Sequence, residues 1–212
     1  MKHQFAAFSL VIGSLFSVPA VAEDIQTLTV AGGCFWCVES DFESVNGVKE
    51  AVSGFAGGAT DNPTYKQVTQ GGTGHYEAVQ ITYDADVVTI DQLLHSFVRS
   101  IDPTDNGGQF CDRGATYRTA IFFANDTEQQ AAQSALTTAQ RDLGQAVVTE
   151  ILPLTTFFPA EAYHQDYYKS NSIVVTRRGP MTKANAYKFY RDACGRDDRV
   201  RALWGDDAPF VH

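Results

Sequence analysis

Positive charge and long apolar stretches are both scarce in this sequence. Its 212 residues include 16 lysines and arginines against 25 aspartates and glutamates, which leaves a net charge of −9. An acidic surface repels nucleic acids and anionic lipids, so we expect neither as a partner. Beyond the N-terminus, no stretch reaches the ~20 apolar residues that a membrane-spanning helix needs, and we expect no association with a membrane.

Internal repeats and low-complexity linkers are also absent from the sequence. A chain of this length can bury one good core or at most two small ones. The order of strand and helix patterns predicts a single α+β domain. We expect a two-layer sandwich of helices on a mixed, mostly antiparallel sheet, with a ferredoxin-like core, and a monomeric protein.

The N-terminus has the pattern of a secretory signal peptide. Lys2 precedes an uncharged apolar run over residues 5–18, and small residues follow up to Ala22. The run is shorter than a membrane span, which favours cleavage after Ala22 over an uncleaved anchor. Cleavage would leave 190 residues with a net charge of −10, because Lys2 is the one charged residue removed. We therefore predict a periplasmic or secreted product.

After the signal peptide at residues 1–22, we predict one domain over residues 23–212. Its last part, from about residue 183, has the composition of a charged tail. Apolar runs and alternation predict strands at residues 27–30, 48–55, 76–83, 117–123 and 147–152. Helical spacing predicts helices at residues 35–45, 90–101 and 127–143, and a further helix in 160–169 that has His164 and Tyr167 or Tyr168 on one face.

Two cysteines, Cys34 and Cys37, flank Phe35 and Trp36 directly after a predicted strand and Gly33. This position places Cys34 at a helix N-terminus, where the helix dipole and free amides favour a thiolate. Cys37 lies one turn further along the same face, within reach of a disulfide with Cys34. A link across so short a loop stabilises little through chain entropy, which favours a reactive pair over a structural disulfide or two inert thiols.

The other two cysteines, Cys111 and Cys194, stand alone in the sequence. Neither has a second cysteine or a histidine at the spacing of a metal-binding pair. Structural zinc sites use two such pairs, so we predict no metal site. Four cysteines in an oxidising compartment allow three pairings, and the spacing does not choose among them.

Glu77 is in phase with the apolar residues of the strand predicted at 76–83. If its side chain is buried, its pKa rises and it can donate a proton near pH 7. The alternative is a frayed strand end at which Glu77 reaches solvent. Tyr65, Tyr117 and Tyr167 supply hydroxyl donors that could surround a small polar group, or else they fill the core.

Short blocks of distinctive sequence follow one another from Gly33 to about Tyr168. They are GCFW at 33–36, PTY at 63–65, TGHYE at 73–77, DPT at 102–104, DRGATYR at 112–118 and FPAEAYHQ at 158–165. Taken in this order, the blocks resemble those of the A-type peptide methionine sulfoxide reductases. The resemblance implies an enzyme that reduces methionine S-sulfoxide, free or in proteins, to methionine without a bound cofactor.

Carried over by position, the resemblance assigns roles to individual residues. It implies that Cys34 attacks the sulfoxide sulfur and that Glu77 protonates the oxygen. The residues implied to bind the substrate are Phe35 and Trp36 at its methyl group, Tyr65 and Tyr117 at its oxygen, and Asp112, His164 and Tyr167 along the pocket. A neutral acid and two phenols around a developing negative charge are also what electrostatic catalysis requires.

The implied chemistry leaves Cys34 as a sulfenic acid, which condenses readily with a neighbouring thiol. The commoner family motif has glycine at the position of Cys37, and those members recycle through cysteines of the C-terminal tail. We favour Cys37 as the resolving residue by proximity, while Cys194 could resolve instead or act as a second relay. Cys111 has no assigned role and could pair with Cys194. We expect an external, thioredoxin-like thiol donor.

Two other functions are compatible with parts of the sequence. An exported thiol-disulfide oxidoreductase of thioredoxin type would explain the CxxC motif after a strand, but no βα unit precedes that motif. An exported binding domain, held by one disulfide between Cys34 and Cys37 and another between Cys111 and Cys194, would explain the cysteines without catalysis.

Overall fold

The computed structural model describes residues 23–211 of the chain. The predicted signal peptide and its cleavage after Ala22 lie outside these residues, and that prediction stays open. Among residues 23–211, no helix combines the length and the apolar character required to cross a bilayer.

Strands and helices alternate from the first strand to the third helix, and runs of successive strands follow before the C-terminal helices. The strands are β1 (Ile25–Gly32), β2 (Val48–Ala56), β3 (Tyr76–Asp84), β4 (Gly108–Gln109), β5 (Asp112–Arg113), β6 (Thr119–Phe123), β7 (Glu150–Pro153), β8 (Phe157–Pro159), β9 (Ile173–Thr176) and β10 (Gly179–Thr182). The α-helices are α1 (Phe35–Glu43), α2 (Tyr65–Gln70), α3 (Ile90–Arg99), α4 (Asp126–Leu143), α5 (Lys183–Ala193) and α6 (Arg196–Trp204). Short 3-10 helices span Ala115–Tyr117, Tyr167–Lys169 and Gly205–Asp207.

The central sheet has six strands in the order β7-β6-β1-β3-β2-β8. Neighbouring strands are antiparallel, except that β6 and β7 run parallel. Val30 of β1 is paired with Val79 of β3 on one side and with Ile121 of β6 on the other. The structure confirms a mixed α+β domain with a mostly antiparallel sheet, whereas the ferredoxin-like core stays a prediction.

Helices α1, α3 and α4 pack against one face of this sheet. Leu28, Val30 and Ile81 contribute to the main core from the strands, with Phe42 of α1 and Phe97 of α3 packed among them. The opposite face carries a smaller cluster of alanines with one aromatic residue each from β3 and β6. The period of two along each strand therefore separates a large core beneath the helices from a small one on the opposite face.

The segment 160–169 differs from its predicted helix. It forms successive turns followed by the 3-10 helix at Tyr167–Lys169, so His164 and Tyr167 do not share a helix face. Asp166 has a φ of 54°, and this left-handed conformation interrupts an α-helix. The strand predicted to start at Tyr117 also starts later, at Thr119, because Tyr117 belongs to a 3-10 turn.

The segment from residue 183, predicted as a charged tail, folds into α5 and α6. Ala186 is fully buried, and Val200 and Trp204 are nearly so, with 3% and 8% exposed. Arg191 donates a hydrogen bond to Asp41 of α1 at 2.7 Å. The segment's partners are therefore distant in sequence, which is why its internal apolar periodicity is weak.

Candidate active site

The predicted nucleophile lies at the turn between β1 and α1. Cys34 is the N-cap residue of α1 and is half-buried. Gly33 before it has a φ of 83°, and a Cβ there would stand 2.5 Å from the Cβ of Gln109 in β4. The turn therefore requires glycine, both for its left-handed backbone and for the close approach of the β4 hairpin.

Glu77 of β3 lies beneath the N-terminus of α1. Its Oε2 accepts a hydrogen bond from the Phe35 N–H at 3.1 Å, and only 2% of the residue is exposed. Its Oε1 is also buried. Burial raises the pKa of Glu77 from 4.5 to about 8, and the charge of Asp112 adds to this rise. The hydrogen bond from the Phe35 N–H acts in the opposite direction. Glu77 is thus a buried, mostly protonated acid at pH 7, and the solvent-exposed alternative is wrong.

Two phenols surround the same region. Burial raises the pKa of Tyr65, and the charges of Glu77 and Cys34 raise it further. The pKa of Tyr117 is raised in the same way, first by burial and then by Glu77 and Tyr65. Both hydroxyls therefore remain protonated near pH 7 and can donate hydrogen bonds to an oxygen placed beside Glu77.

The thiols of Cys34 and Cys37 share a hydrogen bond that shifts their two pKa values in opposite directions. The pKa of Cys34 is raised by this bond first, then by burial and by Glu77. The pKa of Cys37 is lowered by the same bond, and Arg196 and Arg191 lower it further. These directions oppose the Cys34 thiolate expected from the sequence, because the Cys37 hydrogen bond and burial favour the Cys34 thiol and the first amide of α1 binds Glu77.

An aromatic cluster forms one wall beside Cys34. Trp36 stacks on Tyr167 with a centroid distance of 3.7 Å and an interplanar angle of 12°. The His164 ring lies 5.7 Å from Trp36, 5.4 Å from Phe35 and 4.2 Å from Tyr65. Burial lowers the pKa of His164, so its ring is neutral at pH 7. The substrate-binding aromatics expected from the sequence therefore meet at one place.

All four cysteines line a single cavity of about 190 Å³. Cys111 and Cys194 are joined by a disulfide, which answers the question of pairing that the sequence left open, whereas Cys34 and Cys37 are free thiols. Cys111 is exposed, and Cys37 is 7% exposed. Cys111 thus stands at the outer end of the cavity and Cys37 at the inner end.

Asp112, which the sequence assigns to the pocket, lines this cavity too. Burial raises its pKa, and Arg196 opposes the rise. Asp112 lies close enough to Cys111 and Cys194 to share an ion with them, but the disulfide removes both thiolate ligands.

Several residues that shape the site were not predicted from the sequence. Arg191 and Arg196 are buried near Cys37, and Arg196 donates to two main-chain carbonyls at 3.2 and 3.0 Å. No local signal identifies them, because these contacts link residues 96 to 164 positions apart. Glu39 is different, since it lies on the apolar stripe of α1 with Val38 and Phe42, a signal of the same kind that singled out Glu77.

Comparison with known proteins assigns this arrangement to a family. The family model described as peptide methionine sulfoxide reductase matches residues 26–193. The chain belongs to the peptide methionine sulfoxide reductase family. This reductase is 42% identical over 201 residues to peptide methionine sulfoxide reductase MsrA 2 of Rhizobium meliloti, across 95% of this chain and 94% of that protein. It is also 42% identical to the MsrA/MsrB protein of Vibrio cholerae, but it spans only 53% of that longer relative.

The fold agrees with this assignment. The reductase resembles the structure of methionine sulfoxide reductase A of Corynebacterium diphtheriae with a TM-score of 0.65 and 35% identity, over 68% of this chain and 73% of that chain. The resemblance to A-type reductases is thus confirmed, and the protein is an oxidoreductase. The family match ends one residue before Cys194, so that α6 lies beyond it.

Proposed function

We propose that this reductase converts methionine S-sulfoxide, free or in proteins, to methionine through Cys34. The observation that carries the proposal is the hydrogen bond from the Phe35 N–H to Glu77, which holds a buried acid beside the N-cap cysteine. A sulfoxide bound there presents its sulfur to Cys34 and its oxygen to Glu77. The two phenols, Tyr65 and Tyr117, complete the donor set around that oxygen.

In the proposed reductive step, the Cys34 sulfur attacks the sulfoxide sulfur while Glu77 protonates the oxygen. The oxygen leaves the substrate and ends on the Cys34 sulfur, so that methionine is released and Cys34 becomes a sulfenic acid. Negative charge grows on the oxygen during attack. Protonated Glu77, Tyr65 and Tyr117 stabilise that charge in a buried, low-dielectric place.

The aromatic wall has a binding role in this proposal. Phe35 and Trp36 receive the substrate's methyl group, and His164 and Tyr167 extend the wall. Asp112 lines the polar side. Apolar surface of this kind favours the methyl group over a polar substituent, which orients the sulfoxide with its oxygen toward Glu77.

We propose that Cys37 resolves the sulfenic acid. Its thiolate, favoured by Arg196 and Arg191, attacks the Cys34 sulfur and forms a Cys34–Cys37 disulfide, while the oxygen takes up the proton that the Cys34 thiol gave up in the first step and leaves as water. A reduced Cys111 and Cys194 pair can then exchange with that disulfide across the shared cavity. This exchange restores both inner thiols and re-forms the Cys111–Cys194 disulfide.

An external dithiol of thioredoxin-like character would reduce the exposed disulfide in each cycle. No cofactor is needed, because the electrons pass from thiol to thiol. The proposal also includes a monomeric, periplasmic or secreted protein, in keeping with the predicted signal peptide.

The test is reduction of a methionine S-sulfoxide peptide by the Cys34→Ser variant. We expect no detectable methionine, because the nucleophile is removed, while the Cys111→Ser variant should still complete one turnover. Full activity of Cys34→Ser would refute the proposal. Reduction of insulin disulfides without sulfoxide reduction would favour the thiol-disulfide oxidoreductase instead.

A further inference from the structure

Residues 160–169 form a loop, the aromatic loop, that carries two members of the aromatic wall, His164 and Tyr167. It has no regular structure until its last turn, so other contacts must hold it against Trp36. Tyr167 is only 4% exposed and stacks directly on Trp36. The shape of the wall therefore depends on what anchors the loop.

One anchor is a set of bonds between the aromatic loop and Ser53 of β2. The Gln165 Oε1 accepts from the Ser53 N–H at 3.0 Å, and the Gln165 Nε2 donates to the Ser53 carbonyl at 2.8 Å. The Ala160 N–H donates to the same carbonyl at 2.9 Å. These bonds hold the loop up to Gln165, but they do not reach Tyr167.

The second anchor is Glu39 of α1, which is 1% exposed. Its Oε1 accepts a hydrogen bond from the Asp166 N–H at 2.5 Å, and its Oε2 accepts one from the Ser53 hydroxyl. One carboxylate thus links helix, strand and aromatic loop at the residue immediately before Tyr167. Burial raises the pKa of Glu39 to about 7, and these two donors oppose the rise.

The backbone of Asp166 has a conformation that other contacts must stabilise. Its φ of 54° is left-handed, a conformation that costs free energy for residues with a side chain, although less for aspartate than for most. Its own carboxylate pairs with Lys169 at 2.8 Å, further along the loop. Glu43 of α1 also accepts from the Tyr168 hydroxyl and from Lys169, but these contacts follow Tyr167 in the loop. The Glu39 bond reaches the strained Asp166 backbone itself, and this turn aims Tyr167 at Trp36.

From these contacts we infer that Glu39 is a positioning residue for substrate binding, which holds Asp166 in its left-handed turn so that His164 and Tyr167 close the aromatic wall against Trp36. The inference rests on the proposed function. Glu39 acts through the loop and does not touch the reacting atoms. Its loss should therefore weaken binding of the sulfoxide and leave the chemical step of bound substrate unchanged.

The test compares Glu39→Met with Glu39→Gln. Methionine has a similar size but leaves the Asp166 N–H and the Ser53 hydroxyl unpaired. Glutamine keeps both bonds, because its carbonyl accepts from Asp166 and its amide can donate to the Ser53 hydroxyl oxygen. We expect Glu39→Met to raise KM about tenfold with kcat unchanged, and Glu39→Gln to restore KM, since a lost buried hydrogen bond has roughly that effect.

Two measurements separate this inference from the proposed function. Binding of methionine sulfoxide to the Cys34→Ser protein, with and without Glu39→Met, reports affinity without turnover. Acrylamide quenching of tryptophan fluorescence in ligand-free protein reports exposure of Trp36, while Trp204 is common to all variants. We expect stronger quenching in Glu39→Met and wild-type quenching in Glu39→Gln.

A matched control is Ser53→Ala, which removes the second donor and leaves the Asp166 bond in place, and it should change KM little. If Glu39→Met does not fold, Glu39→Asp is decisive, because it keeps the charge but withdraws the oxygen from Asp166, and we expect the same rise in KM. Unchanged affinity in Glu39→Met or Glu39→Asp would overturn the inference, as would a fall in kcat without a change in affinity. Neither result would bear on the role of Cys34.

Discussion

Burial gives a common carboxyl group a special property at Glu77. The residue lies at a core position of β3, with one oxygen on the Phe35 N–H and the other also buried. An ionised carboxylate is costly there, so the proton stays on until about pH 8. A proton donor at neutral pH therefore follows from placement and not from a rare residue type.

The first prediction concerns Glu77→Gln. Glutamine can still accept from the Phe35 N–H but cannot protonate the leaving oxygen. We expect the single-turnover rate of sulfoxide reduction at pH 7 to fall about 100- to 10,000-fold, the usual contribution of general acid catalysis. Rapid-quench measurement of methionine formation checks this, and an unchanged rate would remove Glu77 from the acid role.

The rate of the same step should change with pH differently in wild type and in the Glu77→Gln variant. The wild-type acid loses its proton as the pH passes about 8, so its rate should fall above that value. Ionisation of Cys34, whose pKa is raised, favours a faster attack at high pH. The rate of the Glu77→Gln variant should only rise with pH. A decline of that rate above about pH 8, as in wild type, would contradict the role of Glu77 as the acid.

The site lies where the N-terminus of α1, the strand β3 and the C-terminal helices meet. Helix α1 contributes both inner thiols, whereas Cys194 follows α5 and Cys111 lies between β4 and β5. The Cys111–Cys194 disulfide therefore ties the β4–β5 hairpin to the junction of α5 and α6. Because Cys111 is exposed and the disulfide shares a cavity with Cys34 and Cys37, the disulfide could also accept electrons from an external donor.

A second prediction addresses that disulfide with the Cys111→Ser, Cys194→Ser double variant. If the outer pair transfers electrons, the first turnover should proceed at the wild-type rate, because Cys34 and Cys37 are intact. Steady-state turnover with a protein dithiol donor should fall by about an order of magnitude, since exchange rates depend on access to the attacked sulfur and Cys37 is buried.

The matched control uses dithiothreitol as donor, because a small reductant can reach the inner pair and should reduce the difference between the two proteins. Equal turnover with both donors would restrict the disulfide to a structural role. Mass spectrometry after one turnover should find Cys34 bonded to Cys37. A Cys34–Cys194 bond at that stage would instead identify Cys194 as the resolving residue.

For the whole molecule, buried acids couple activity to stability. The folded protein binds the Glu77 proton more tightly than the unfolded chain, since the pKa rises from 4.5 to about 8. The free energy of unfolding must therefore decrease as the pH rises through that window, and the contribution is lost in full above pH 8. Glu39 acts in the same direction up to about pH 7.

The third prediction follows from this linkage. Relative to wild type, Glu77→Gln should gain stability steadily between pH 5 and about 8, by an amount on the order of a few kcal/mol at the upper end. Urea unfolding at several pH values measures the difference. Glu50→Gln, at an exposed position of β2, is the control and should show no such trend. A constant difference for Glu77→Gln would contradict the raised pKa.

Local patterns were sufficient to predict the elements nearest the active site. Period two gave the phase of Glu77 in β3, and helical spacing placed Cys34 at the start of α1. Both depend only on neighbours within a few residues, where propensity and burial agree. The aromatic loop was predicted wrongly as a helix, because the left-handed turn at Asp166 is held by Glu39, 127 positions away.

Sequence alone therefore determined the family, the order of strands and helices, and which residue types stand ready for the chemistry. The tertiary structure decided their protonation and their pairing. It placed Arg196 and Arg191 near Cys37 and buried Cys34 beside Glu77. It also joined Cys111 to Cys194. The physical reason is that pKa values and disulfides depend on distances and desolvation between groups far apart in the chain, and no local pattern encodes them.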